Sequence, residues 1–201
     1  MRTGTRLVLA SASPARLRIL RAAGIDAEVV VSGVDERAVP APDPTALVAT
    51  LARLKAETVA ADPRSVDRLV LGCDSVLDLD GKVMGKPVDA AEAVSWWEER
   101  RGRQAILRSG HHLIDTASGR AARAVGSSVV CFGHPSDQEI AAYVATGEPL
   151  EVAGGFTLEG RGAPFVDRID GDPGNVIGLS LPILRRLLTE LGRSIVDLWS
   201  A

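Results

Sequence analysis

The first group of residues suited to chemistry lies between positions 11 and 16, where the sequence reads Ser-Ala-Ser-Pro-Ala-Arg. Ser11 and Ser13 supply hydroxyls and Arg16 supplies a guanidinium. Because Pro14 is typical of the first position of a helix, the free amides of a helix N-terminus are expected beside these side chains, an arrangement suited to an anion. The alternative is an ordinary capped helix with a solvated arginine.

Two lysines add positive charge that calls for an explanation. Lys55 follows Val48 by seven residues and Leu51 by four, so it projects from the apolar side of its predicted helix. Such a lysine either extends along the apolar surface to solvent or emerges at the edge of a sheet to neutralise a phosphate. Lys86 stands in a tight loop as a further cation.

Two carboxylates are expected at the same edge. Asp74 follows the apolar run 68–73 and is predicted to end that strand, where α/β sheets place catalytic groups, although Asp74 and Ser75 alternatively form a simple turn. Glu36, beside Asp35 in the loop after the second strand, is expected to reach this edge. Paired carboxylates suit Mg²⁺ or Mn²⁺, and the cations suit a polyphosphate.

A rival motif begins at Asp78, because the sequence Asp-Leu-Asp-Gly imitates the signature of aspartyl-phosphate phosphatases. In such an enzyme Asp78 would be the nucleophile. That signature normally follows the first strand of its domain, so the interpretation favoured here is a hairpin turn at Asp80 and Gly81.

A zinc site is a weaker alternative. Adjacent His111 and His112 on a strand would point to opposite faces, and no ligand spacing recurs among the histidines and cysteines, which also include His134, Cys73 and Cys131.

Strands and helices must position these residues. They alternate along the sequence, and this alternation predicts an α/β fold with a mixed sheet. Apolar runs bounded by turn residues predict strands over 6–10, 27–31, 68–73, 76–80, 105–115 and 120–132. Capping residues and apolar periodicity predict helices over 14–23, 44–62, 89–101, 136–147 and 181–191.

Composition limits the classes of protein. With 201 residues, 46% of them hydrophobic and 24% charged, the chain is expected to be one globular domain covering 1–201. A net charge of −3 argues against non-specific nucleic-acid binding. No apolar stretch approaches the roughly 20 residues of a membrane span, and the apolar run at 7–10 is too short for a signal peptide, so no membrane association and a cytoplasmic location are predicted.

The same residues carry a family resemblance that covers nearly the whole chain. In order and spacing, the chain resembles the Maf family of nucleoside triphosphate pyrophosphatases through Ser11-x-Ser13-Pro14-x-Arg16, Asp35-Glu36, Lys55-Ala56, Gly72-x-Asp74, Gly85-Lys86-Pro87, Ala153-Gly154 and Asn175-x-x-Gly178-Leu179. The resemblance implies a mixed α/β fold with two lobes around a central cleft, related in architecture to inosine triphosphate pyrophosphatases. It also implies a divalent metal cation (Mg²⁺, Mn²⁺ or Co²⁺), a cytoplasmic location and, commonly, a homodimer.

Carried onto this sequence, the resemblance implies hydrolysis of a nucleoside triphosphate to a monophosphate and pyrophosphate. Asp74 would be the general base for the attacking water and a metal ligand, with Glu36 as the second metal ligand. The triphosphate would be bound by Ser11, Ser13, Arg16, Lys55 and Lys86.

Three positions depart from the family pattern. Many members have an arginine where this chain has Ala15, which removes one anchoring contact. Members that prefer pyrimidines usually have threonine and glutamine where this chain has Ser75 and Glu159. A carboxylate can accept from the N1–H and N2–H₂ donors of guanine but cannot donate to uracil or thymine carbonyls. We therefore expect broad triphosphate activity, including 7-methylguanosine triphosphate, with no strong pyrimidine preference.

Two alternatives remain within the family. One is a pyrophosphatase that prefers 7-methylguanosine triphosphate, although that branch typically has an aromatic residue in place of Ala15 and glutamine in place of Ser75. The other is a regulatory inhibitor of septum formation that acts by binding, against which the intact acidic and basic residues argue.

Overall fold

Seven strands form one mixed sheet in the computed structural model, which describes residues 6–200. The strands are β1 (Leu7–Leu9), β2 (Ala27–Val29), β3 (Leu69–Leu79), β4 (Lys82–Met84), β5 (Gln104–Asp115), β6 (Arg120–Phe132) and β7 (Val166–Asp170). Their order is β2-β1-β3-β5-β6-β7, with β4 also paired to β3. Strand β1 runs parallel to β2 and β3, whereas β4 is antiparallel to β3 and β7 to β6. The predicted α/β class with a mixed sheet is confirmed.

Helices flank the sheet, and most begin where capping residues predict. They are α1 (Pro14–Ala22), α2 (Pro44–Ala60), α3 (Ala90–Arg100), α4 (Asp137–Val144), α5 (Pro173–Ile177) and α6 (Leu181–Glu190). Ser13, Asp43 and Ser136 cap α1, α2 and α4 by accepting from a backbone N–H of the first turn. Among residues 6–200, no helix is both long and apolar enough to cross a membrane.

The contacts divide the described chain into two compact units. The first takes residues 6–74, 109–126 and 178–200, and the second takes residues 75–108 and 127–177. Leucines dominate the core of the first unit, where Leu7, Leu9 and Leu71 of the sheet lie with Leu184 and Leu187 of α6. The second unit has an aromatic core of Trp96, Trp97, Phe132, Tyr143 and Phe156.

Strand β3 corrects the prediction of two strands separated at Asp74 and Ser75. The strand is continuous through both residues, so Asp74 lies within it and not at its end, and the alternative of a turn there is wrong. A polar residue in a buried strand is tolerated when its charge is paired, and Asp74 has such a partner in Lys55. That partner lies 19 positions away in sequence, which is why local pattern indicated a break.

The predicted ranges contain no counterpart of β4, β7 or α5. Both β7 and α5 fall in a stretch with many glycines, between Gly154 and Gly178. Three of the five residues of β7 are charged, so its strand character comes from pairing with β6, as in the register of Val130 with Ile169. Strand β2 also ends two residues earlier than expected, at Val29.

The hairpin prediction at Asp80 and Gly81 is confirmed. Both residues have positive φ, 51° and 88°, as a tight turn between antiparallel strands requires. The Asp78 carboxylate accepts from the Gly81 N–H at 2.8 Å and from two N–H groups of Arg108 at 3.1 and 2.9 Å. Asp78 therefore stabilises the hairpin, which accounts for its burial without a nucleophilic role.

Candidate active site

Helix α2 lies unusually close to the sheet because two glycines face it. A Cβ atom at Gly72 of β3 would lie 2.1 Å from the Ala52 carbonyl oxygen, and one at Gly110 of β5 would lie 2.1 Å from that of Val48. Any other residue at either position would force the helix away. The close approach brings Lys55 of the helix against Asp74 of the strand.

Lys55 is buried between two carboxylates. Its Nζ lies 2.6 Å from Asp74 Oδ1 and 2.6 Å from Glu36 Oε1. The side chains of Lys55 and Asp74 are each 8% exposed, whereas Glu36 is 55% exposed. Lys55 therefore does not extend to solvent, and the alternative of a snorkelling lysine is wrong. Of the three side chains, Glu36 is the one in contact with solvent.

The environment of Asp74 makes its carboxyl a stronger proton acceptor. Burial raises the pKa of Asp74 above its usual value, and the nearby charge of Glu36 acts in the same direction. The positive charges of Lys55 and Arg16 oppose this shift without cancelling it. A carboxylate with a raised pKa next to fixed cations is suited to take a proton from water beside an anionic substrate.

Arg16 is also buried, so the alternative of a solvated arginine is wrong. Its Nε donates to the Gly178 carbonyl at 2.9 Å, and its Nη1 donates to the Cys73 carbonyl at 2.9 Å and to Ser11 Oγ at 3.0 Å. These contacts fix the guanidinium next to the residue that precedes Asp74. The role of Gly178 and Cys73 as backbone partners was not predicted, since a carbonyl has no signature in the sequence.

The N-terminus of α1 holds the two predicted serines. Ser11 Oγ accepts from the Ser13 N–H at 3.2 Å as well as from Arg16, which leaves its hydrogen to donate. Ser13 Oγ caps the helix by accepting from the Arg16 N–H at 3.5 Å. Ala15, in the first turn, is half-buried and has no polar side-chain atom. The structure thus brings Ser11, Ser13 and Arg16 together, as predicted.

Three predicted residues belong to the second unit. Ser75 follows Asp74 in β3, and Lys86 is exposed in the loop between β4 and α3. Glu159 is exposed in the loop that follows Phe156. The backbone of the Lys86 loop is anchored where the Gly154 N–H donates to the Gly85 carbonyl at 2.7 Å. The substrate-binding roles of these three residues remain predictions.

The oxygen donors of Glu36 and Asp74 fit a hard divalent cation. Their oxygens converge on one point, the Lys55 ammonium, and Mg²⁺ is typically held by one or two carboxylates together with substrate phosphates. Among residues 6–200, no group of three or more His, Cys, Asp and Glu side chains is placed to hold a metal. A cation here would therefore depend on ligands that the substrate brings.

The zinc alternative fails at His111. Its Nε2 accepts from the Ser180 N–H at 2.9 Å and its Nδ1 is hydrogen-bonded to the Ser109 carbonyl at 3.0 Å, so backbone groups use both ring nitrogens. The histidine fixes the start of α6 to β5 and is a structural residue.

Comparison with known proteins finds relatives that match nearly the whole chain. A protein from Streptomyces coelicolor named nucleoside triphosphate pyrophosphatase is 63% identical over 97% of this chain and 95% of its own length. A Synechococcus protein of the same name is 53% identical over 96% of this chain and 98% of its own. Among solved structures, a dITP/XTP pyrophosphatase from Mycobacterium abscessus aligns over 94% of this chain and 97% of its own, with 14% identity and a TM-score of 0.42. The model of the family described as Maf-like protein matches residues 6–191, and the chain therefore belongs to the Maf family.

Proposed function

We propose that the Lys55–Asp74–Glu36 cluster is the catalytic centre of a nucleoside triphosphate pyrophosphatase. The reaction is hydrolysis between the α and β phosphates, which yields a nucleoside monophosphate and pyrophosphate. The observation that carries the proposal is the buried carboxylate of Asp74, which two fixed cations flank within the first unit. Relatives that match nearly the whole chain bear this activity in their names.

Asp74 takes a proton from the attacking water. Its raised pKa makes proton transfer to it more favourable than to an exposed aspartate. The barrier to phosphoryl transfer is lowered mainly by positioning and by neutralisation of negative charge. Lys55, Arg16 and the amides at the start of α1 supply that positive potential, and the Ser11 hydroxyl donates to a phosphate oxygen.

A divalent cation is part of the proposal, as Mg²⁺, Mn²⁺ or Co²⁺. Glu36 and Asp74 would hold it together with phosphate oxygens, and when bound it would neutralise charge on the phosphates. The Lys55 ammonium lies 2.6 Å from an oxygen of each carboxylate, which keeps the two close together, and a divalent cation would bind them beside this ammonium.

Substrate selection in this proposal falls to Lys86, Ser75 and Glu159 of the second unit and to Ala15 of the first. Lys86 binds the triphosphate, and Ser75, Ala15 and Glu159 shape the selection of the base. A glutamate accepts from the adjacent N–H donors of guanine, which supports broad activity that includes 7-methylguanosine triphosphate. We further propose that residues 1–201 act as one catalytic domain, since the family model covers residues of both units. A cytoplasmic homodimer is the form that the family resemblance implies.

Product identification tests the reaction. Incubation with a nucleoside triphosphate and Mg²⁺ is expected to release pyrophosphate and monophosphate in equal amounts, and excess chelator is expected to stop it. Stepwise release of orthophosphate with a diphosphate intermediate would contradict the proposal. Full activity in the chelator would contradict the metal.

A further inference from the structure

A loop of the second unit, residues 154–162, is held by a carboxylate that the catalytic proposal does not use. Glu148 accepts from Tyr143 Oη at 3.0 Å and from Thr157 Oγ1 at 2.5 Å. It also accepts from the backbone N–H groups of Arg161 at 3.2 Å and Gly162 at 3.3 Å. One carboxylate thus fixes both ends of the segment that contains Glu159.

The glycines of the loop fit this arrangement. A Cβ atom at Gly160 would lie 2.7 Å from Glu148 Oε1, and one at Gly162 would lie 2.6 Å from the Tyr143 hydroxyl. The backbone therefore approaches the carboxylate more closely than any side chain would permit. Burial acts to raise the pKa of Glu148, but the hydrogen bonds from Thr157, Arg161, Tyr143 and Gly162 together outweigh it and lower the pKa.

A buried cation holds the beginning of the same loop. Arg100 is fully buried, donates to the carbonyls of Gly154 and, at 3.0 Å, Gly155, and lies 3.8 Å from the centre of the Trp97 ring. Gly154 and Gly155 both have positive φ, 72° and 63°, which turns their carbonyls toward the guanidinium. Burying a charge is unfavourable unless it is well compensated, so this placement indicates a constraint on the loop.

We propose that Glu148, with Arg100, is a positioning residue for base selection: it holds the 154–162 loop in one conformation and so presents Glu159 to the base. This inference rests on the proposed function. The exposed part of the loop is 159–161. A free segment of this kind would lose conformational entropy on binding, whereas a segment anchored beforehand loses less. The anchors are therefore expected to affect the relative kcat/KM values for triphosphates with different bases, with little effect on the hydrolysis step itself.

Thr157→Val is the sharpest test, because it removes one donor to Glu148 and keeps the shape of the side chain. Hydrogen exchange at the amide of Arg161, which donates to Glu148, is expected to quicken. The amide of Gly162 also donates to Thr157 Oγ1 at 3.4 Å, so it loses a bond directly and does not report on the anchor. The ratio of kcat/KM for GTP over UTP is expected to fall about three- to tenfold, the range for one hydrogen bond, through KM and not kcat. Thr157→Ser keeps the hydroxyl and is expected to restore both measurements.

Glu139→Gln is the matched control. Glu139 belongs to the cap of α4 in the same unit, where its carboxylate accepts from the N–H and the hydroxyl of Ser136, each at 2.7 Å. Loss of this carboxylate is expected to lower stability slightly and to leave the base ranking unchanged. If Glu139→Gln shifted the ranking as much as Thr157→Val, general loosening of the unit would explain both, and the inference would be wrong.

The remaining outcomes separate this inference from the proposed function. Unchanged exchange in Thr157→Val, or faster exchange with an unchanged base ranking, would overturn the inference while pyrophosphate release stood. If Thr157→Val shifted the ranking and Glu159→Gln did not, the anchored loop would not act by presenting Glu159 to the base, and the inference would be wrong. Absence of pyrophosphate release by the wild-type protein would overturn the proposed function and this inference together, even with the exchange result as expected.

Discussion

At the scale of single residues, the main feature is a buried ion pair, and burial of charges is energetically unfavourable. Lys55 and Asp74 are both removed from water, and desolvation of two charges commonly exceeds their attraction. The pair is therefore weak evidence for stability. In the proposed mechanism the pair serves catalysis, because charges that are already fixed in a site of low polarity need no reorganisation when negative charge develops on a substrate.

Matched substitutions of Asp74 and Asp78, which belong to the same strand, distinguish a pyrophosphatase with Asp74 as general base from a phosphatase with Asp78 as nucleophile. Asp74→Asn is expected to lower kcat by at least about 100-fold, the scale for loss of a general base. Asp78→Asn removes a contact with Arg108 and is expected to lower stability while kcat stays near that of the wild type. Steady-state kinetics on one triphosphate measures both. The opposite pattern, with an acid-stable phosphoenzyme on Asp78, would establish the phosphatase mechanism.

At the scale of elements, the site depends on how closely a helix can approach a sheet. Gly72 and Gly110 remove the side chains that would separate α2 from β3 and β5. The resulting backbone contact determines the distance between Lys55 on the helix and Asp74 on the strand. The glycine two positions before Asp74 is thus a requirement of packing.

Gly72→Ala is expected to destabilise the protein and to lower activity together. The added methyl would lie 2.1 Å from the Ala52 carbonyl, and overpacking of this kind costs about 1–3 kcal/mol. Gly85→Ala is the control, because a Cβ atom there meets nothing within 4 Å, and its effect on stability is expected to stay within about 0.5 kcal/mol. Chemical denaturation measures both variants. Equal stability of the two would show that α2 can shift without penalty.

The end of β5 is joined to the segment after α6 by a second ion pair. Asp115 Oδ2 accepts from Arg193 Nε at 3.2 Å and Nη2 at 2.8 Å, and its Oδ1 accepts from the Ala117 N–H. Burial acts to raise the pKa of Asp115, but the bonds from Arg193 and Ala117 outweigh it, so the pKa is lowered below 3.8. A lowered pKa in the folded state contributes stability above the unfolded value, and this contribution is lost as the pH falls through the folded value.

Arg193→Met is accordingly expected to reduce the free energy of unfolding by about 1 kcal/mol at neutral pH, a discounted figure because Arg193 is 35% exposed. The difference from wild type should shrink below about pH 4, where Asp115 protonates in the unfolded chain. Arg53→Met, which breaks the exposed pair with Glu57, is expected to change stability by less than about 0.5 kcal/mol. A difference for Arg193→Met that did not vary with pH would refute the role given to Asp115.

At the scale of the whole molecule, the proposed function makes a prediction about which nucleotide bases the enzyme accepts. We expect kcat/KM values for dTTP, UTP, CTP, GTP and 7-methyl-GTP to lie within about tenfold of one another, with no preference for dTTP and UTP. Glu159→Gln is expected to move the ranking toward the pyrimidines, since an amide can both donate and accept. A wild-type preference for dTTP and UTP of tenfold or more, about 1.4 kcal/mol, would refute the argument from Glu159.

Helix starts and the tight hairpin could be predicted from sequence because their interactions are local. Ser13 and Ser136 cap helices through bonds to residues three positions on, and the turn at Asp80 and Gly81 needs only two residues that accept positive φ. Candidate residues of the first unit, such as Lys55 and Asp74, were also evident, since a lysine on an apolar helix face and an acid in an apolar run are anomalies visible without a structure.

Only the tertiary structure decided how those residues are used. The continuity of β3 through Asp74, the strand character of β7 and the burial of Lys55 all depend on partners that local pattern does not reveal. The guanidinium of Arg16 binds a carbonyl 162 positions away, and the Glu148 carboxylate meets the amide of Gly162 across 14 positions. The physical reason is that caps and turns are satisfied within a few residues, whereas a buried charge is stabilised by whichever groups the fold brings beside it.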